Sequence, residues 1–71
     1  MSNCSEYVQY VNDTRALERK RAMLLHEYVQ LHGEWTNAID YGEEEDEIDA
    51  IRADMDHIRA QMREIDALLA A

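Results

Sequence analysis

The chain has no proline and no phenylalanine, and its 71 residues include only one cysteine and two glycines. Without proline, no residue type present forces a helix to break from within, and glycine can weaken or end one only at positions 33 and 42. The single cysteine, Cys4, excludes a disulfide within the chain, so we expect a reduced, cytoplasmic setting. No apolar run approaches the roughly 18–20 residues that cross a membrane, so we expect no membrane partner.

Basic residues are also scarce, and the formal net charge is −9. Residues 40–71 hold eleven acidic and three basic residues, whereas residues 1–39 hold five and four. Phosphate binding needs clustered lysine and arginine, and only the segment from Arg15 to Arg21 offers such a cluster. The charge balance therefore argues against direct nucleic-acid binding.

Apolar residues recur at spacings of three and four in both halves of the chain, which is typical of helices that pack against each other. The second half predicts a helix from about residue 43 to 70, and the first half predicts one from about 4 to 40. The apolar phase crosses Gly33 unbroken, so we expect helix 1 to continue there despite a cost of about 1 kcal/mol. Gly42 then marks a turn at about 41–43.

Residues 1–71 are thus predicted to form a single all-α domain, a long antiparallel helical hairpin resembling a coiled coil. Residues that face each other across it should have numbers that add up to roughly 83–86. The predicted hairpin core consists of Leu17, Leu24, Tyr28, Leu31, Trp35, Ile48, Ile51, Met55, Ile58, Met62, Ile65 and Leu69.

A chain of this length buries too little apolar surface to be stable without help, and a second copy is the simplest source of more. Small residues recur on helix 2 away from its apolar seam and would let another helix approach closely. These dimer interface candidates are Ala50, Ala53, Ala60 and Ala67. Isoleucine at both seam positions also favours higher-order bundles. We therefore expect a homodimer that forms a four-helix bundle.

The predicted helix 1 is longer than helix 2, so its first residues lack a partner within the hairpin. Two tyrosines and two valines fall in this overhang: Tyr7, Val8, Tyr10 and Val11. Exposed apolar groups of this kind mark interaction sites, and tyrosine is enriched where binding energy concentrates. We predict that this patch binds a partner.

Catalytic and metal-binding patterns are absent from the sequence. His26 and His57 would fall opposite each other with Glu27 and Asp54 nearby, but carboxylate-bridged bundles need Glu-x-x-His on two helices. No serine, threonine or cysteine has an evident base, and no glycine-rich phosphate loop occurs. We expect no metal, no cofactor and no enzymatic activity.

The remaining function class is partner binding by helix docking, which needs only an apolar stripe with a charged rim. We expect a small regulator that inhibits a larger protein or acts as an anti-activator. Its size and fold class are similar to those of small virus-encoded antagonists of host proteins. Alternatives are an acidic nucleic-acid mimic, an assembly chaperone or adaptor, and an RNA-binding hairpin dimer. The last would resemble small plasmid copy-number regulators in architecture, without a shared motif.

Overall fold

The computed structural model describes the backbone of residues 2–71 and the side chains of residues 13–71. It contains two helices, α1 (Ser2–Asp40) and α2 (Glu45–Ala70), which pack against each other as a hairpin. The predicted all-α class and the pairing of two helices are confirmed. The resulting rod measures 62 × 15 × 14 Å. Neither helix combines the length and the apolar character that a membrane span requires, within the described residues.

The end of α1 is fixed by a glycine cap. Gly42 has φ +68°, in the left-handed region that only glycine enters without strain. Its N–H donates to the carbonyl of Ile39 at 3.1 Å, and the N–H of Glu43 donates to the carbonyl of Ala38 at 3.0 Å. These two bonds are the Schellman arrangement, which satisfies the last carbonyls of a helix. The chain therefore reverses at Gly42, and α1 runs through Gly33 without interruption.

Helix α2 begins after Glu44, whose carbonyl accepts the N–H of Glu47 and of Ile48. The side chain of Glu44 makes no capping hydrogen bond. Instead, three acidic residues, Glu45, Asp46 and Glu47, fill the first turn, where the helix dipole favours negative charge. The helix thus starts two residues later than the predicted position 43.

The core is a single apolar layer between the helices. Leu24 of α1 packs with Ile58, Met62 and Ile65 of α2, all between 5% and 9% exposed. Partly buried neighbours complete the cluster: Leu17, Tyr28, Leu31 and Leu69. Ala38 and Met55 are also buried, whereas Trp35, Ile48 and Ile51 are half-buried. No described side chain is withdrawn completely from solvent, because each helix has a neighbour on one side only.

The hairpin consequently exposes more surface than a compact protein of its mass. Its accessible surface is 5873 Å², whereas a compact monomer of 8.3 kDa exposes roughly 4,600 Å² on the usual size scaling. The difference is about 1,300 Å². Several large apolar side chains lie in this exposed surface: Met23, Leu25, Val29, Ile39, Tyr41 and Leu68.

The two glycines should respond oppositely to alanine. A Cβ at Gly33 meets nothing within 4 Å, so Gly33→Ala removes the entropic cost of a mid-helix glycine and should stabilise by about 1 kcal/mol. Gly42→Ala also finds open space, but its positive φ makes alanine strained, so this variant should be less stable than the wild type. Urea unfolding followed by circular dichroism measures the free energy of unfolding of both variants. Equal shifts of the same sign would contradict the assignment of Gly33 to a helix interior and of Gly42 to a helix cap.

Candidate functional site

A groove lies between the two helices in the described part of the chain. Its volume is about 370 Å³. Both helices contribute to its walls, because the residues lie on the same open side of the hairpin. The lining residues are Tyr28, His32, Trp35, Arg52, Met55, Asp56 and Arg59. We call this feature the Trp35 groove.

Aromatic rings form the α1 wall of the Trp35 groove. The ring centre of His32 lies 6.5 Å from that of Tyr28 and 5.8 Å from that of Trp35, at tilted angles. The indole Nε1 of Trp35 is buried and has no hydrogen-bond acceptor among the described residues. An unsatisfied buried donor costs about 1–3 kcal/mol. The wall therefore holds a polar group whose hydrogen bond is not made within the described hairpin.

Two arginines form the α2 wall. Arg52 and Arg59 are seven residues apart, which is two helical turns or about 10.5 Å along the axis. Asp56 lies between them in the chain, yet neither guanidinium is within ion-pairing distance of a carboxylate in the described part. In a chain with sixteen acidic residues, two adjacent unpaired arginines create a local positive surface beside an apolar wall. Such a surface suits an acidic partner.

The apolar wall continues along α1 beyond the groove. Leu25 is 46% exposed and Val29 is 60% exposed. His32 follows them by seven and three residues, so all three side chains share one face of the helix. The exposed apolar strip therefore borders the groove directly.

One ion pair ties the helices together away from the groove. Nε of Arg21 lies 2.5 Å from Oδ1 of Asp66, and Nη2 lies 3.2 Å from Oδ2, a two-bond contact. The hydrogen bond from Arg21 lowers the pKa of Asp66, and the hydrogen bond to Asp66 raises the pKa of Arg21. Both side chains are exposed, so this pair sets the register of the hairpin more than its stability. Arg21 thus tolerates its apolar seam position because its charged end reaches α2.

Near the start of α2, by contrast, carboxylates lie close together and repel each other. A hydrogen bond with Glu47 and the repulsion of that charge raise the pKa of Glu43. The favourable helix dipole at this end does not remove that repulsion. This acidic end of the rod therefore presents concentrated negative charge to solvent.

Three predicted core residues, Tyr28, Trp35 and Met55, line the Trp35 groove, whereas the dimer interface candidates do not. Those candidates, Ala50, Ala53, Ala60 and Ala67, are all exposed. The tyrosine and valine patch, Tyr7, Val8, Tyr10 and Val11, lies outside the residues whose side chains are described. The alanine face and the groove are formed by different residues of α2.

The histidines show no metal-binding arrangement in the described part of the chain. No three histidine, cysteine or acidic groups come together there in a way that could hold an ion. His26 and His57 are exposed, and each ring contacts the glutamine one turn later, Gln30 at 3.2 Å and Gln61 at 3.1 Å. These contacts are along single helices and do not join α1 to α2.

Sequence reasoning missed Arg52 and Arg59 as site residues, because they entered it only as two of the three basic residues in an acidic half of the chain. Their spacing of seven was the available signal, since it places both on one face of a helix. Val29 was also missed, although it lies one helical turn after Leu25 on the same face of α1. Nothing in the sequence indicated that Trp35 and these arginines would line one groove.

Comparison of the chain with protein-family models, with curated proteins and with solved structures finds no match in any of the three. The functional argument therefore depends on the surface of the hairpin itself.

Crowding at the start of α2 predicts a pH-dependent effect of Glu47→Gln. The pKa of Glu43 is higher in the folded protein than in the unfolded chain. Glu43 therefore stabilises the fold below its unfolded pKa of about 4.3. This contribution is lost as the pH rises through the pKa of Glu43 in the folded protein. Because Glu47 is the group that raises the pKa of Glu43, Glu47→Gln removes this unfavourable contact and should raise the melting temperature at pH 7. The gain should vanish near pH 4. Glu44→Gln, which removes an equal charge without this contact, is the matched control and should lack the gain.

Proposed function

We propose that this protein is a small, non-enzymatic regulator that docks on a larger protein through helix contacts and inhibits it or blocks its activation. The observation that carries this proposal is the Trp35 groove, an apolar cleft with two unpaired arginines on its rim. Helix docking on a groove of this kind needs apolar anchors and complementary charge, and no catalytic groups.

The dimensions of the hairpin support docking over chemistry. A two-helix rod has little enclosed volume, and the groove is open along one side, so it cannot exclude water from a substrate as catalysis requires. Its excess exposed surface suits a large, extended contact with another macromolecule instead. A hairpin homodimer forming four helices is part of the proposal, because each chain leaves apolar surface uncovered.

The acidic nucleic-acid mimic is retained as a second candidate because of one observation. Arg52 and Arg59 both lie at the groove, so the carboxylates of the α2 start are not neutralised by them. A mimic would bind its target with steep salt dependence, since it replaces phosphates by carboxylates. Docking through the groove, where few charged residues take part, would show a shallower salt dependence.

The groove is tested by partner binding. Affinity capture from the native host followed by mass spectrometry supplies a candidate partner, which is then purified and titrated against the wild-type protein. Arg52→Gln, which leaves Arg59 in place, should weaken binding about tenfold if its charge on the groove rim contributes about 1.4 kcal/mol. Lys20→Gln removes an equal charge from an exposed position of α1 and should bind normally.

Two results would contradict the proposal. If no captured protein binds again in purified form, docking as the function fails. If the groove variant and the control variant bind equally well, the protein docks through another surface.

The N-terminal patch is tested separately. Replacing Tyr7 and Tyr10 with alanine should cost at least about 2 kcal/mol of partner binding while the protein stays folded and dimeric. Loss of dimerisation, measured by sedimentation equilibrium, would instead assign this patch to the homodimer. Unchanged partner binding with an unchanged dimer would remove the patch from the function.

A further inference from the structure

Helix α1 carries a second stripe that α2 does not cover. It includes Leu25 and Val29, which are 46% and 60% exposed. Each follows a seam residue by one position: Leu25 follows the buried Leu24, and Val29 follows the partly buried Tyr28. In the described part of the helix, the stripe positions follow alternating spacings of four and three residues: Glu18, Ala22, Leu25, Val29, His32 and Thr36. That period is the one by which a helix packs lengthwise against another helix. The exposed Leu25 and Val29 at the centre of the second stripe therefore form a surface on which another helix can pack.

We infer that the occupant is a second copy of this chain, with the two α1 helices antiparallel and Glu18 of each copy paired with Arg59 of the other. The inference rests on the homodimer in the proposed function and names its interface. A two-fold interface uses the same surface of both copies, so the stripe must complement itself when reversed.

The stripe meets that requirement. If the two-fold axis passes between positions 22 and 25, Leu25 of one copy lies against Ala22 of the other, a large residue against a small one. The same register sets Glu18 of one copy opposite Val29 of the other. The large Leu25 thereby packs against the small Ala22 at the centre of the contact, and Glu18 lies at each end.

The ends of this contact meet the Trp35 groove. Arg59 lines the groove together with Tyr28, the immediate neighbour of Val29. Glu18 of a second copy, lying opposite Val29, therefore arrives beside Arg59. Neither Glu18 nor Arg59 has an ion pair among the described residues, so each is available to the other. The second copy thereby supplies a carboxylate partner for Arg59, which has no ion pair within the described hairpin.

The same pair cannot form within one chain. The contact between Arg21 and Asp66 fixes the hairpin register, so position 18 lies across from about position 69. Arg59 is ten residues away from that point, or about 15 Å along the helix. A Glu18–Arg59 contact is consequently a signature of two copies.

The surface excess is large enough for this interface. A standard interface buries about 800 Å² on each partner. The hairpin exposes about 1,300 Å² more than a compact protein of its mass. An interface of that size on the second stripe would therefore remove more than half of the excess exposed surface of each chain.

Sedimentation equilibrium on matched variants distinguishes this face from the alanine face. Leu25→Glu with Val29→Glu should raise the dimer dissociation constant at least tenfold, whereas Ala53→Glu with Ala60→Glu should leave it unchanged. Circular dichroism checks that each variant keeps its helices; if the first pair unfolds, Leu25→Gln alone replaces it. Loss of the dimer only in the alanine variants would overturn the inference and leave dimerisation itself standing.

Charge reversal supplies the second, more specific test. Glu18→Arg and Arg59→Glu should each weaken self-association at least tenfold as single variants. An equimolar mixture of the two variant chains should regain a dimer close to wild-type strength, because each reversed charge then meets its opposite on the other copy. No recovery on mixing would overturn the inference. A monomeric wild-type chain would overturn it together with the homodimer, while docking on a larger protein is decided by its own binding assay.

Discussion

One layer of apolar contacts between two helices holds this protein together. Leu24 on α1 and the residues Ile58, Met62 and Ile65 on α2 are its best-buried members. Burial of such side chains is the main favourable term in folding, at about 1.5–3 kcal/mol for each one fully buried. Because the hairpin has only one such layer, each helix is covered on one side and leaves its other faces open to solvent.

The first consequence is an unusually large exposed surface for the chain length. Side chains that would be core in a three- or four-helix protein, such as Leu25 and Val29, remain open to solvent. A rod of this kind offers grooves along its sides, and the proposed function uses such a groove for contact with another protein. The Trp35 groove is the place where this open side combines aromatic rings with positive charge.

Charge is distributed unevenly over the same rod. The start of α2 concentrates carboxylates strongly enough to raise the pKa of Glu43. Arg52 and Arg59, about two and four turns after the start of α2, line the groove without carboxylate partners among the described residues. A molecule with separated positive and negative surfaces can orient a partner, or a second copy, in one direction, since the reverse orientation brings like charges together.

The sequence alone determined the two helices and the place where the chain turns. The three-four spacing from Ile48 to Leu69 and the demand for a left-handed residue at Gly42 are local properties, set by the helix period and by the absence of a Cβ. The tertiary structure decided that Asp66 pairs with Arg21, that Trp35 shares a groove with Arg52 and Arg59, and that Leu25 stays uncovered. Those outcomes depend on how far each helix is rotated and shifted against the other. The loop geometry and the packing of the apolar layer set that rotation and shift, and no single stretch of sequence encodes them.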